Sequence, residues 1–151
     1  MHSKRSALVA AAAVLVLAAC GATTRSAGPS GGSGAADLQV TKDCSEAMGA
    51  AGDVCTITAS NHEAIQVGSR LVFASASGPD FLDSDIVLDV SPGNFAIGHC
   101  TVHLATGSGV CTLAGGTGDF AGFNARVDVA ADASDPTVHL WSGTYGDSGG
   151  D

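Results

Sequence analysis

The chain has 151 residues, one domain's worth, with 6 Lys and Arg against 15 Asp and Glu and a formal net charge of −9. From residue 37 onward only Lys42, Arg70 and Arg126 face all 15 acids, so that part carries 3 − 15 = −12, the opposite of the basic footprint that nucleic acid or a polybasic membrane contact requires. Twenty-one glycines and a charged fraction of 14% argue against a helical bundle, while 45% hydrophobic residues leave enough apolar mass for a core and argue against global disorder.

The N-terminus reads as a targeting device. Lys4 and Arg5 precede an uninterrupted apolar run from Ala7 to Ala19. Thirteen residues are too few to span a ~30 Å hydrocarbon layer as a helix, but they suit the apolar core of a signal peptide. The run ends Leu17-Ala18-Ala19-Cys20-Gly21. This resembles the lipobox of bacterial lipoproteins, in which the Cys thiol is lipidated and becomes the new N-terminus. The alternative is an ordinary secretory signal with Cys20 incidental. Gly21 to Ala36 holds nothing larger than Ala, Thr, Arg and one Pro and is expected to be a tether, with a root-mean-square reach of ~20–24 Å. The expected organisation is a signal peptide at 1–19, a lipidated Cys20 and linker at 20–36, and a β domain at 37–148. The expected location is the cell envelope, outside the cytoplasm, anchored to the membrane by the lipid.

In chain order, the body is a series of short β-type runs broken by turn residues. Leu38-Gln39-Val40 opens it. Val54 to Ala59, Arg70 to Ser75 and Asp85 to Val90 follow, the last two ended by Gly78-Pro79 and by Ser91-Pro92-Gly93-Asn94. Ala96 to Ala105 and Gly109 to Ala114 flank Thr106-Gly107-Ser108-Gly109, a hairpin signal. Phe123 to Ala130 alternates cleanly, with Phe123, Ala125, Val127 and Val129 on one face and Asn124, Arg126 and Asp128 on the other. Val138 to Tyr145 closes the series, with His139, Trp141 and Tyr145 sharing a face. No 3.6-residue period is sustained. About eight strands at regular spacing predict an all-β antiparallel sandwich or barrel.

With Cys20 assigned to lipid, four cysteines remain for an oxidising compartment: Cys44, Cys55, Cys100 and Cys111. Three connectivities are open. The matched spacings, with Cys100 and Cys111 flanking the hairpin turn, favour Cys44–Cys55 and Cys100–Cys111, each worth ~3 kcal/mol on the chain-entropy model. No Cys-x-x-Cys pair suggests a metal, and no metal or cofactor is expected.

The segment Gly115-Gly116-Thr117-Gly118-Asp119-Phe120-Ala121-Gly122-Phe123 runs into the alternating strand, and Trp141-Ser-Gly-Thr-Tyr145 follows near the end, with Gly98-His99-Cys100 upstream. Together these resemble bacterial members of the allene oxide cyclase-like and dirigent-like barrel superfamily. The resemblance implies an eight-stranded antiparallel barrel with a cavity, often trimeric. It also implies a ligand-facing role for Asn61, the counterpart of a cavity Asn. His99 and Trp141 are nominated beside it by their place in family-like segments. No counterpart of the family's early Glu or cavity Tyr is found. A phosphate cradle at the glycine segment is disfavoured, since no Lys-Ser or Lys-Thr follows and Asp119 would repel the anion. Gly115, Gly116, Gly118 and Gly122 are expected to shape a turn, with Phe120 and Phe123 plugging the core.

Other constellations read as ordinary surface. His99 and His103 are too far apart on one strand face, at ~13 Å, to share a metal. His62-Glu63 reads as a solvated loop rather than an acid–base pair. Asp83, Asp85 and Asp89 read as a solvated strand face rather than a calcium site or a catalytic carboxylate pair. With Ala74, Ala76, Ala125, Val127 and Val129 as the inward candidates, and aromatics only 5% of the chain, the barrel is expected to be hollow. The expectation is a lipid-anchored barrel that binds a small neutral apolar ligand or a surface partner without catalysis. A cyclase or isomerase acting on an apolar substrate is the alternative.

Overall fold

A computed structural model describes residues 35–147. The signal segment, Cys20 and all but the last two residues of the linker lie outside the described residues. The strands are β1 (Ala36–Asp43), β2 (Val54–Ser60), β3 (Arg70–Phe73), β4 (Phe81–Ser91), β5 (Asn94–His103), β6 (Ser108–Gly116), β7 (Phe123–Ala131) and β8 (Val138–Asp147), with a 3-10 turn at Gly118–Phe120. Each pairs antiparallel with the next, and β8 returns to β1, so the eight strands close into a barrel without a free edge.

Period-two patterning builds the wall. Along β7, Phe123, Ala125, Val127 and Val129 are buried while the residues between them are exposed. On β4 the same rule buries Ser84, Ile86 and Leu88 and exposes Asp83 and Asp85. On β1 the inward set is Leu38, Val40 and Lys42, so a lysine occupies a core position. Two expectations about the wall need correcting. Strand β4 begins at Phe81 rather than Asp85, and β3 ends at Phe73. Ala74 and Ala76 are therefore exposed instead of facing the lumen. The reason is local. The Oγ of buried Ser84 accepts the Ser75 N–H at 3.0 Å and donates to the Asp85 carbonyl at 2.7 Å, a side-chain clip that replaces the ladder there.

Both disulfides form, Cys44–Cys55 and Cys100–Cys111, with Cα separations of 4.3 and 4.1 Å. Cys100 and Cys111 are direct cross-strand partners on β5 and β6. Cys55, Cys100 and Cys111 are fully buried in the core.

The antiparallel alternation sends every second connection to the same end of the barrel. At one end lie the segments 61–69, 92–93 and 117–122, and this end is filled. Phe120 and Phe123 are fully buried with ring centroids 5.3 Å apart, edge to face, and Phe123 lies 5.8 Å from Tyr145. His62 closes the cluster, 4.4 Å from Tyr145 and 5.3 Å from Phe123, with Ile65 buried beside the cluster's loop. His62 is thus a half-buried packing residue rather than part of a solvated loop, and burial pulls its pKa below the ordinary imidazole value.

The glycine segment builds this plug. Gly115, Gly118 and Gly122 all have positive φ. At Gly118, with φ +61°, a Cβ would stand 2.7 Å from the Asn94 Oδ1 that accepts the Asp119 N–H. At Gly116 a Cβ would stand 2.1 Å from the Phe95 carbonyl oxygen, so only glycine lets the backbone pass this close. The Thr117 hydroxyl donates to the Gly93 carbonyl at 2.7 Å and ties the turn to the β4–β5 hairpin. The result is to swing Phe120 into the barrel mouth.

Candidate functional site

At the opposite end, the segments 44–53, 74–80, 104–107 and 132–137 surround a cavity of about 400 Å³. Its wall is mostly apolar, with Phe73, Leu82, Val102, Leu104, Val129 and Pro136 among the lining residues, and the Cys44–Cys55 disulfide borders it. A volume of this order suits one small organic ligand.

The polar groups are few and converge from two neighbouring strands. Lys42 on β1 and His139 on β8 are direct cross-strand partners, and both line the cavity. Cross-strand partners on one face bring their Cβ atoms within ~4.5–5.5 Å. Lys42 is only 3% exposed. Its Nζ lies 5.3 Å from the Trp141 ring centroid and 5.6 Å from that of Phe73, so two aromatic faces hold the ammonium. No carboxylate pairs with it among the described residues. Asp43 next to it accepts the Ser45 N–H. Asp53, which lines the cavity, accepts the Met48 and Ala50 N–H groups at 2.6 and 2.8 Å.

Burial alone pulls the Lys42 amine down to about 8 from an ordinary 10.5. His139 is lowered as well, first by burial and then by the Lys42 charge. The Thr137 carbonyl favours the charged imidazole weakly, yet no hydrogen bond of sound geometry reaches His139 Nδ1, which is buried without a partner. Trp141 Nε1 is likewise buried and unpaired. Three nitrogens near one end of the lumen thus lack hydrogen-bond partners among the described residues, although buried donors and acceptors are ordinarily paired.

The residues singled out from the sequence do not come together. Trp141 faces the lumen and is 1% exposed. Asn61 sits past the end of β2, where its Nδ2 donates to the Asp37 carbonyl and its Oδ1 accepts the Gln39 N–H at 2.8 Å, stitching the start of β1 to the loop. It lines a concavity on the outer wall together with outward-facing Thr41, Leu140 and Ser142. His99 is also on the outer wall. Its Nε2 and Nδ1 lie 2.6 and 2.9 Å from Asp83 and Asp85, and these contacts raise its pKa, the Asp85 hydrogen bond most. The Asp-x-Asp face is therefore an imidazole clamp open to solvent.

Sequence reasoning missed Lys42. The signal was present: Leu38, Val40 and Lys42 alternate on one face, so the one cation of β1 follows two core positions. No protein-family model, no curated protein and no solved structure matches the chain. The eight-stranded antiparallel barrel stands on the structure itself.

Proposed function

We propose that the barrel binds one small, largely apolar molecule in the cavity beside Lys42, without chemistry, in the cell envelope outside the cytoplasm, where Cys20 anchors it to a membrane by lipid. The observation that carries this reading is the cavity itself: about 400 Å³ of mostly apolar-walled space with a buried lysine and a histidine side by side in its wall. A core optimised for stability alone would fill that volume, as the opposite end does. The resemblance to allene oxide cyclase-like and dirigent-like barrels supports a ligand-holding lumen and a homotrimer. It supports the cyclase reaction less, because the single tyrosine of the chain, Tyr145, packs in the plug and not in the cavity. The net negative charge of the domain repels anions at long range and so favours a neutral ligand. Lys42 acts at contact range and bears on that point separately.

The test is titration of the full, disulfide-intact chain with an uncharged hydrophobic fluorophore, followed by displacement with 1-decanol. One saturable site per barrel, lost when the cavity is filled by Val129→Trp, is the expected result. Binding that never saturates would overturn the reading. The anchor is tested by fatty-acid labelling, which Cys20→Ser should abolish.

A further inference from the structure

Lys42 poses a physical problem that a neutral ligand leaves unsolved. A charge taken out of water is tolerated when it is paired. Here the ammonium has two ring faces and a neighbouring imidazole but no anion, although 15 acids are available in the chain. The two carboxylates nearest in sequence or in the cavity wall, Asp43 and Asp53, are held by backbone N–H groups of their own loops. The lysine is also not stranded by chance at a fraying edge. It lies within a paired stretch of β1, bonded to β2 on one side and β8 on the other, where Met or Leu would continue the Leu38–Val40 pattern.

Resting on the reading that the cavity holds a ligand, we propose that the ligand is a small apolar monocarboxylic acid, whose carboxylate is held by Lys42 Nζ with His139 beside it and whose hydrocarbon body fills the apolar wall. The cavity has the matching polarity. The nitrogens cluster where β1 and β8 meet, and the apolar side chains Leu82, Val102 and Leu104 come from β4, β5 and the loop after β5. A carboxylate there completes the lysine's missing ion pair beside the His139 ring, in buried surroundings where charge-assisted bonds are strong. The acidic exterior opposes an incoming anion only at long range, and salt screens that field within ~8 Å at physiological ionic strength.

The experiment compares decanoate with 1-decanol, which share a chain and differ in charge, by calorimetry on the full chain with both disulfides formed. At pH 7 decanoate should bind about tenfold tighter or more, the size expected of a charge-assisted bond. Lys42→Met should erase that preference, while Lys42→Arg should keep it. His139 from β8 is the titratable cross-strand partner of Lys42, Asp53 lines the same cavity from the β1–β2 loop, and His103 lies at its rim on the exposed face of β5 against Phe81. Burial draws the Lys42 amine into this pH range, to about 8, while burial and the Lys42 charge hold His139 below the ordinary imidazole value. The decanoate affinity should therefore hold up to about pH 8 and then fall up to about tenfold per unit as the amine loses its proton, while decanol affinity stays level. Should Lys42→Met fail to fold, this pH profile of the native chain decides alone. Decanol bound as tightly as decanoate, or a decanoate affinity flat to pH 9.5, would overturn the carboxylate assignment and leave the cavity reading standing. Binding of neither compound would overturn both.

Discussion

The two ends of the barrel are made from the same eight strands and treated oppositely. At one, Phe120, Phe123, Tyr145 and His62 pack ring against ring, and the glycine turn exists to deliver Phe120 there. At the other, the inward positions are Lys42, Phe73, Val102, Val129 and His139, and they leave a hollow. The filled end has its aromatic groups in mutual contact. The hollow end keeps a cation and the unpaired His139 Nδ1 in low-dielectric surroundings, whereas the filled end's loop holds one unpaired buried hydroxyl, Ser69 Oγ. The contrast teaches that packing is divided along the barrel axis: one mouth carries it, and the other keeps a buried charge whose cost, on the proposed reading, a ligand relieves.

The largest effect belongs to the plug. Phe123→Ala removes a fully buried ring from the centre of the cluster and should cost about 3–5 kcal/mol, read as a lower thermal midpoint. Ligand binding at the far end should survive at temperatures where the variant stays folded. An unchanged midpoint would break the comparison, because the filled end would then not be the stabilising one.

The second effect has the opposite sign. A lysine whose folded pKa is about 8 rather than 10.5 makes its full contribution to stability only above the higher value, and that contribution is lost as pH falls through about 8. At pH 7 the shift corresponds to about 3 kcal/mol. Lys42→Met should therefore stabilise the unliganded protein at pH 7 by about 1–3 kcal/mol, with the gain shrinking as pH rises from 8 toward 10.5. Chemical denaturation across that range measures both. A variant less stable than the parent at every pH would show that the amine has a partner at the hollow end.

The smallest effect sharpens the plug's description. Burial lowers the His62 pKa, so this group's contribution is complete above ~6.5 and is lost as pH falls below that value. His62→Phe should flatten the acid side of the stability profile. A profile unchanged between pH 7 and 5 on that substitution would remove His62 from the aromatic cluster's energetics.

Much of this architecture could be read before any coordinates. The alternation on β7 and the Gly, Pro and Asn punctuation between runs are local signals, and local signals are what a single sequence carries. The disulfides followed from spacing because each links strands whose connection is short. The glycine turn was visible as a turn, although its 3-10 turn was not, since one turn leaves no period to detect. The start of β4 was lost because Phe81-Leu82-Asp83-Ser84 follows Pro79-Asp80 and mixes exposed Phe with buried Ser. The site escaped for a different reason. Lys42 and His139 are 97 residues apart in sequence and meet only because β8 closes onto β1, a register that nothing in either strand specifies alone. Asn61 and His99 were nominated by likeness of segments, which says which strand a residue belongs to but not which way it faces.

The protonation of Lys42 itself tests the account most directly. Labelling lysine side chains and following the Lys42 Cε and Nζ signals by NMR across pH should give a midpoint near 8, moving upward when decanoate is added. A midpoint at the ordinary 10.5, unmoved by decanoate, would contradict a buried and unpaired amine waiting for an anion.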